Sequence, residues 1–183
     1  MPTRSNSVRI IGGEWRRRLI HFPGAADLRP TPDRVRETLF NWLGQDLTGE
    51  TCLDLFAGSG ALGFEAASRG ARQVVMVERD AQIFRALQTT HTMLVAAQVE
   101  LVKADALAFL RSDARRYDVV FLDPPYHLDL IARLLPLLPG HLDGGSRVYL
   151  ESDRLQELPE GYELLRQSRA GRVHGVLIKW VRS

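Results

Sequence analysis

From residue 51 onward, short apolar runs alternate with amphipathic stretches at the spacing of βα units. Runs near 51–55, 73–78, 98–102, 117–122 and 146–151 predict strands, and the stretches near 60–69, 80–96, 105–111 and 128–138 predict helices. This order builds a mostly parallel sheet with helices on both faces. The end of the chain breaks the rhythm. Residues 162–166 and 173–181 leave no room for a helix between them, so they are expected to pair antiparallel at the sheet edge, for seven strands in all. Upstream, residues 8–11 and 15–20 flank Gly12-Gly13 and predict a small hairpin whose turn uses glycine's access to positive φ. Thr31, Pro32 and Asp33 then read as N-cap, first-turn proline and first-turn acid of a helix that carries Val35, Leu39, Trp42 and Leu43 up to Gly44. Residues 1–183 are expected to form one domain, with 1–30 as a basic N-terminal β-hairpin arm.

An apolar content of 45% over 183 residues is enough to fill one core. No run approaches the ~20 apolar residues that span a bilayer, and Met1-Pro2-Thr3-Arg4-Ser5 lacks the apolar stretch of a signal peptide, so a cytoplasmic protein without membrane contact is expected. Cys52 is the single cysteine and lies in an apolar run. It excludes a disulfide framework, and without a Cys/His cluster no metal is expected. The net charge of +2 conceals a polarity along the chain: residues 1–36 carry +5 and residues 164–183 another +5, against −8 in the middle. Basic ends around an acidic middle suit a catalytic domain whose margins hold a polyanion.

The chemistry begins at Asp123-Pro124-Pro125-Tyr126, directly after the run Tyr117-Asp118-Val119-Val120-Phe121-Leu122. Two prolines at the end of a buried strand must stop its pairing, because proline has no N–H for the ladder and fixes its own φ. The stop presents a carboxylate, a carbonyl that no helix takes up, and an aromatic face. Those groups suit a flat ring bearing an amino group, although a plain turn would also read this way.

A second constellation surrounds Leu53-Asp54-Leu55-Phe56-Ala57-Gly58-Ser59-Gly60. Gly58, Gly60 and Gly63 satisfy G-x-G-x-x-G between a strand and a helix, and Glu78 ends the next strand, so a dinucleotide site stays open. S-adenosylmethionine needs the same open glycine turn and the same ribose acid, but no pyrophosphate site. It also needs an acceptor for the adenine amine, which Asp105 after the third strand supplies. Asp54 is unfavourable beside a pyrophosphate and suits a ligand bearing an ammonium and a sulfonium.

The ordered set Asp54-Leu-Phe-Ala-Gly-Ser-Gly60, Glu78, Asp105 and Asp123-Pro-Pro-Tyr126 resembles the class I S-adenosylmethionine-dependent methyltransferases. More narrowly, Arg9-Ile-Ile-Gly-Gly13 with Arg16-Arg17-Arg18, followed by Arg29-Pro-Thr-Pro-Asp-Arg-Val-Arg-Glu-Thr-Leu-Phe-Asn-Trp-Leu43, resembles the bacterial 16S ribosomal RNA guanine-N2 methyltransferases that modify guanine 966. The resemblance covers nearly the whole chain. It implies a Rossmann-like α/β fold and an enzyme acting on 16S rRNA or the small ribosomal subunit; a monomer is expected. Asp123, Pro124 and Tyr126 would be catalytic. Asp54, Phe56, Ala57, Gly58, Gly60, Glu78, Arg79, Asp105, Ala106 and Thr31 would hold the cofactor, and Arg9, Arg16, Arg17, Arg18, Arg34 and Arg36 the RNA. Three positions depart from the family pattern: Arg17 where glycine is usual, Pro32 where threonine is frequent, and Ala104 where many relatives carry asparagine. Adenine-N6 methylation of DNA or RNA uses the same loop, and a noncatalytic RNA-binding assembly module would use only the basic ends. These are the competing readings.

Overall fold

The computed structural model describes residues 5–24, 30–125, 130–154 and 157–182. Strands β1 (Ser5–Arg9) and β2 (Leu19–Pro23) pair antiparallel as a separate ribbon, followed by helix α1 (Asp33–Leu43). The main sheet begins with β3 (Thr51–Asp54), α2 (Ala61–Ser68), β4 (Gln73–Glu78), α3 (Ala81–Leu94), β5 (Val99–Lys103), α4 (Ala106–Ser112) and β6 (Tyr117–Leu122). The short α5 (Ile131–Leu134) and β7 (Leu142–Ser152) follow, and β8 (Tyr162–Ala170) and β9 (Val173–Trp180) close the chain.

The sheet order is β5-β4-β3-β6-β7-β9-β8, with β3 to β7 parallel and the last two strands antiparallel. The chain winds from β3 outward to β5, then returns to the other side of β3 as β6. That reversal opens a crevice beyond the carboxyl ends of β3 and β6, where ligands bind in such sheets. All four residues of β3 are buried between its two neighbouring strands, the polar Thr51 and Asp54 included. Cys52 sits at zero exposure within it, and burial pushes its thiol well above its ordinary pKa, so it is packing and not a nucleophile.

Two expected elements take a different form. The predicted helix over 128–138 begins outside the described residues, and the described part is only the four-residue α5 plus a 3₁₀ turn at Leu138–His141. Pro136 and Pro139 account for this, since each removes a donor and crowds the preceding turn. The N-terminal ribbon also lacks the tight turn expected at Gly12-Gly13. Its strands stop at Arg9 and resume at Leu19, and the intervening loop is drawn onto the end of α2. Ser68 makes the attachment: its hydroxyl donates to the Gly12 carbonyl at 2.6 Å and accepts from Trp15 N–H at 2.9 Å, while its carbonyl accepts from Glu14 N–H at 2.8 Å. A Cβ at Gly13, whose φ is +76°, would stand 1.8 Å from the Ser68 carbonyl oxygen, so only glycine fits. Val8, Ile10, Trp15, Ile20 and Phe22 are consequently buried in the same core as Phe40 and Phe64. The basic arm is thus packed onto the sheet domain by its apolar side.

Candidate active site

The acids predicted at strand ends are found there. Asp54 closes β3, Glu78 closes β4, Asp105 precedes α4 and Asp123 follows β6, all at the carboxyl edge of the parallel sheet. Between them, Gly58 (φ +51°) and Gly60 (φ +84°) turn the chain from β3 into α2. A Cβ on Gly60 would meet the Phe64 ring at 2.6 Å, and one on Gly63 would meet the Met76 sulfur at 2.6 Å. The third glycine therefore serves close packing of helix on strand.

The loop amides are already engaged. Gly58 N–H donates to Glu78 Oε2 at 3.0 Å, Gly60 N–H to the Ala57 carbonyl at 2.7 Å, Ala61 N–H to Ser59 Oγ at 3.3 Å and Gly63 N–H to Asp54 Oδ2 at 3.0 Å. A phosphate cradle needs such amides free and unopposed by charge. Here two of the four answer carboxylates of the chain itself. Asp54 is buried and its Oδ1 has no hydrogen-bond partner among the described residues. Burial raises its pKa to about 7, with the Glu78 charge adding to the rise and the amides of Gly63 and Phe56 opposing it. An orphaned buried carboxylate oxygen beside a second acid fits a cationic ligand group and repels a pyrophosphate. The residues present thus fit S-adenosylmethionine and do not fit a dinucleotide.

Around this centre, Phe56 is half-buried, Ala57 and Ala106 are buried, and Arg79 is exposed. Asp105 caps α4, its Oδ1 accepting from Leu107 and Ala108 N–H at 3.0 and 3.1 Å, and no described residue donates to its Oδ2. Glu78 Oε1 takes the Asp80 N–H at 2.8 Å.

Asp123 is half-buried, with its pKa raised well above the carboxylate range by loss of solvent, then by the charges of Glu151 and Asp54. One contact opposes the rise: Thr31 Oγ1 donates to Asp123 Oδ2 at 3.2 Å. Thr31, expected as an N-cap, makes no cap bond. Pro32 occupies the cap position, and the buried threonine hydroxyl turns to the Asp123 carboxylate instead. Pro124 is buried and Pro125 exposed, whereas Tyr126 and His127 lie outside the described residues.

Arg36 requires correction. Expected at the RNA surface, it is fully buried. Its guanidinium donates to the Thr31 carbonyl (3.1 Å), the Arg9 carbonyl (2.8 Å), Asp33 Oδ1 (2.6 Å) and Glu65 Oε2 (3.3 Å). Only arginine offers a rigid fork with enough donors for four partners on three segments. Glu65, also at zero exposure, accepts in addition from Ile11 and Gly12 N–H at 2.9 and 2.8 Å and from Arg69 Nε at 2.8 Å. The other arginines differ. Arg16, Arg17, Arg18 and Arg34 are exposed with no described side-chain partner, and Arg9 is exposed but pairs with Asp33 at 3.0 Å. An open polar groove of about 490 Å³ runs between the arm's loop and α1, past Gly12, Gly13, Arg16, Asn41, Gln45 and Arg69.

Sequence reasoning missed Glu65 and Glu151. Glu65 is the lone charge in Ala-Leu-Gly-Phe-Glu-Ala-Ala-Ser, an otherwise apolar helix whose every residue is buried. Glu151 lies buried near the end of β7, where it accepts from Tyr149 Oη at 3.1 Å, and obeys the same strand-end rule as the other acids. Among the described residues no group of His, Cys, Asp and Glu is arranged to hold a metal, and no helix is long and apolar enough to cross a membrane.

With two of its glycine-loop amides bonded to its own carboxylates and the Asp-Pro-Pro stop at the neighbouring strand end, the molecule is a class I methyltransferase. A family model described as "Conserved hypothetical protein 95" matches residues 8–179. Ribosomal RNA small subunit methyltransferase D of Escherichia coli strain K12 is 40% identical over 174 residues, which cover 92% of this chain and 88% of that protein. The Haemophilus influenzae protein of the same name is 39% identical over 178 residues, covering 93% and 92%. The chain belongs to this family. The solved structure of yhhF from Escherichia coli agrees with a TM-score of 0.89 at 36% identity, over 96% of this chain and 99% of its own. A Haemophilus influenzae structure agrees with a TM-score of 0.82 at 37% identity, over 97% and 100%.

Proposed function

We propose that this protein transfers a methyl group from S-adenosylmethionine to the exocyclic N2 amine of a guanine in 16S rRNA, the family target being guanine 966, with the small ribosomal subunit as partner. The observation that carries the reading is Asp123 and Pro124 beside the acid-rimmed glycine turn, with Asp123 steadied by Thr31. The cofactor supplies an electrophilic methyl on a sulfonium. Asp54 would take the ammonium of its amino-acid tail, Glu78 the ribose hydroxyls, Asp105 the adenine amine, and the chain from Phe56 to Gly60 its flank, with Arg79 and Ala106 at the rim.

An exocyclic purine amine is a weak nucleophile because its lone pair is delocalised into the ring. The Asp123 carboxylate and the Pro124 carbonyl each accept one of its N–H bonds, which turns the lone pair out of conjugation and fixes its direction. Tyr126 stacks on the base. The raised pKa of Asp123 brings the carboxylate toward the range in which it can also receive the proton lost on transfer. The base must be unpaired or turned out of its helix to reach this crevice. Arg16, Arg17, Arg18, Arg34 and Arg9 would hold the surrounding phosphates, and the groove beside Arg16 offers the strand a polar path.

The test is Asp123→Ala with a tritiated methyl donor and unmodified small subunits. Turnover should be lost while S-adenosylhomocysteine still binds by calorimetry. Retained turnover would remove Asp123 from the mechanism. Mass spectrometry of rRNA from a deletion strain should show one unmodified guanine, and an unmodified adenine instead would select the N6 reading.

A further inference from the structure

We propose that Thr31 and Arg36 are positioning residues through which docking of the N-terminal arm sets the orientation of Asp123. The inference rests on the assignment of Asp123 as the group that holds the target amine.

Its basis is one continuous set of hydrogen bonds. Glu65, on the helix that follows the glycine turn, binds the arm through the amides of Ile11 and Gly12 and binds Arg36 Nη1. Arg36 binds the arm again at the Arg9 carbonyl and grips the Thr31 carbonyl through Nε. Thr31 then reaches Asp123 with its hydroxyl. Arg36 and Glu65 are at zero exposure and Thr31 is 4% exposed, so water offers these groups no alternative partners. A buried guanidinium with four acceptors has a single orientation, and so has the backbone it holds. An arm needed only for RNA affinity could be fixed by apolar packing, which it already has through Ile10, Trp15 and Ile20. The charged set adds something packing does not: a defined position for one hydroxyl at the catalytic carboxylate. Thr31 accordingly serves Asp123.

The test uses the full-length enzyme with small subunits at saturating concentration. Thr31→Val removes the hydroxyl at nearly constant shape and should lower kcat ~10-fold or more, with the Kd for S-adenosylhomocysteine and the KM for subunits within ~2-fold. Thr31→Ser should restore kcat to within ~3-fold. Arg36→Lys keeps the charge but not the fork, and should lower kcat comparably. The double variant Thr31→Val/Arg36→Lys should be no worse than the poorer single one, because both act through the same bond. Should Arg36→Lys fail to fold, the Thr31 pair decides alone. A Thr31→Val enzyme with unchanged kcat, or one whose loss appears as weakened S-adenosylhomocysteine binding, overturns the inference. So does a double variant whose losses multiply. Asp123→Ala separates the two levels: if it keeps full turnover, the reading of the site itself fails. If it abolishes turnover while Thr31→Val does not slow it, only the positioning role fails.

Discussion

Replacing Asp54 by asparagine tests the physics of the cofactor cleft most directly. The carboxyl is buried, one oxygen satisfied by Gly63 N–H and the other without a partner among the described residues, and its pKa is raised from 3.8 to about 7. At pH 7 it is therefore about half ionised. A bound ammonium favours the anion, so S-adenosylhomocysteine should release about 0.9 proton at pH 6, about 0.5 at pH 7 and about 0.1 at pH 8 through this group. Affinity should then fall about tenfold between pH 8 and pH 6. The free enzyme shows the opposite sign. A folded-state pKa above the unfolded one makes the acid destabilising at high pH, a penalty of about 4 kcal/mol at 1.36 kcal/mol per pH unit that fades as pH falls from 7 to 4. Asp54→Asn keeps an acceptor for Gly63 and loses the charge. It should raise the melting temperature of the ligand-free protein at pH 8, weaken S-adenosylhomocysteine, and erase this share of the proton release. Calorimetry in two buffers of different ionisation enthalpy reads that release. Because Asp123 also has a raised pKa, Asp123→Asn is the control, and the Asp54 share must survive in it. A wild-type binding enthalpy independent of buffer at pH 6.5 would refute the reasoning, as would an Asp54→Asn protein that melts below wild type at pH 8.

Further expectations concern the arm. Gly13→Ala forces a Cβ toward the Ser68 carbonyl at positive φ and should cost at least about 2 kcal/mol, read as a fall of about 4–8 °C in melting temperature. Glu65→Gln leaves the buried Arg36 without its full counter-charge and should lower stability by about 3 kcal/mol in urea titration, whereas a change under 1 kcal/mol would show the pair to be incidental. Replacing Arg16, Arg17 and Arg18 together by serine should weaken RNA binding and reduce the slope of log affinity against log salt by about 0.7 for each phosphate no longer neutralised. An unchanged slope would place the RNA elsewhere.

The sheet was legible because its signals are local. Apolar runs bounded by turn residues mark strands, and a glycine turn or a proline pair marks where each stops, so Asp54, Glu78, Asp105 and Asp123 could be placed at one edge from spacing alone. Arg36 was misplaced for an instructive reason. On its helix it neighbours exposed positions, and nothing within the helix shows that Glu65, 29 residues later, returns to meet it. Thr31 was read as a cap because Ser/Thr-Pro-Asp is the grammar of helix starts, yet a hydroxyl goes to the stronger acceptor when a half-buried carboxylate lies within reach. The Gly12-Gly13 turn failed similarly, since Ser68 on another element decides the shape of the loop. What could not be read from the sequence is what long-range polar contacts decide.

One edge of the sheet has a consequence outside catalysis. β8 is the outermost strand on this side of the sheet and is largely exposed, and its free side would invite a strand from another molecule. The pairing register with β9 shifts between Leu164 and Arg166, and Arg166 and Arg169 stand exposed on it, with Arg172 in the turn that follows. The shifted register bends the ladder, and the exposed arginines set positive charge along this edge, two features that discourage pairing with a second strand. The C-terminal arginines are therefore expected to disfavour edge-to-edge association of two copies, independently of any contact with RNA.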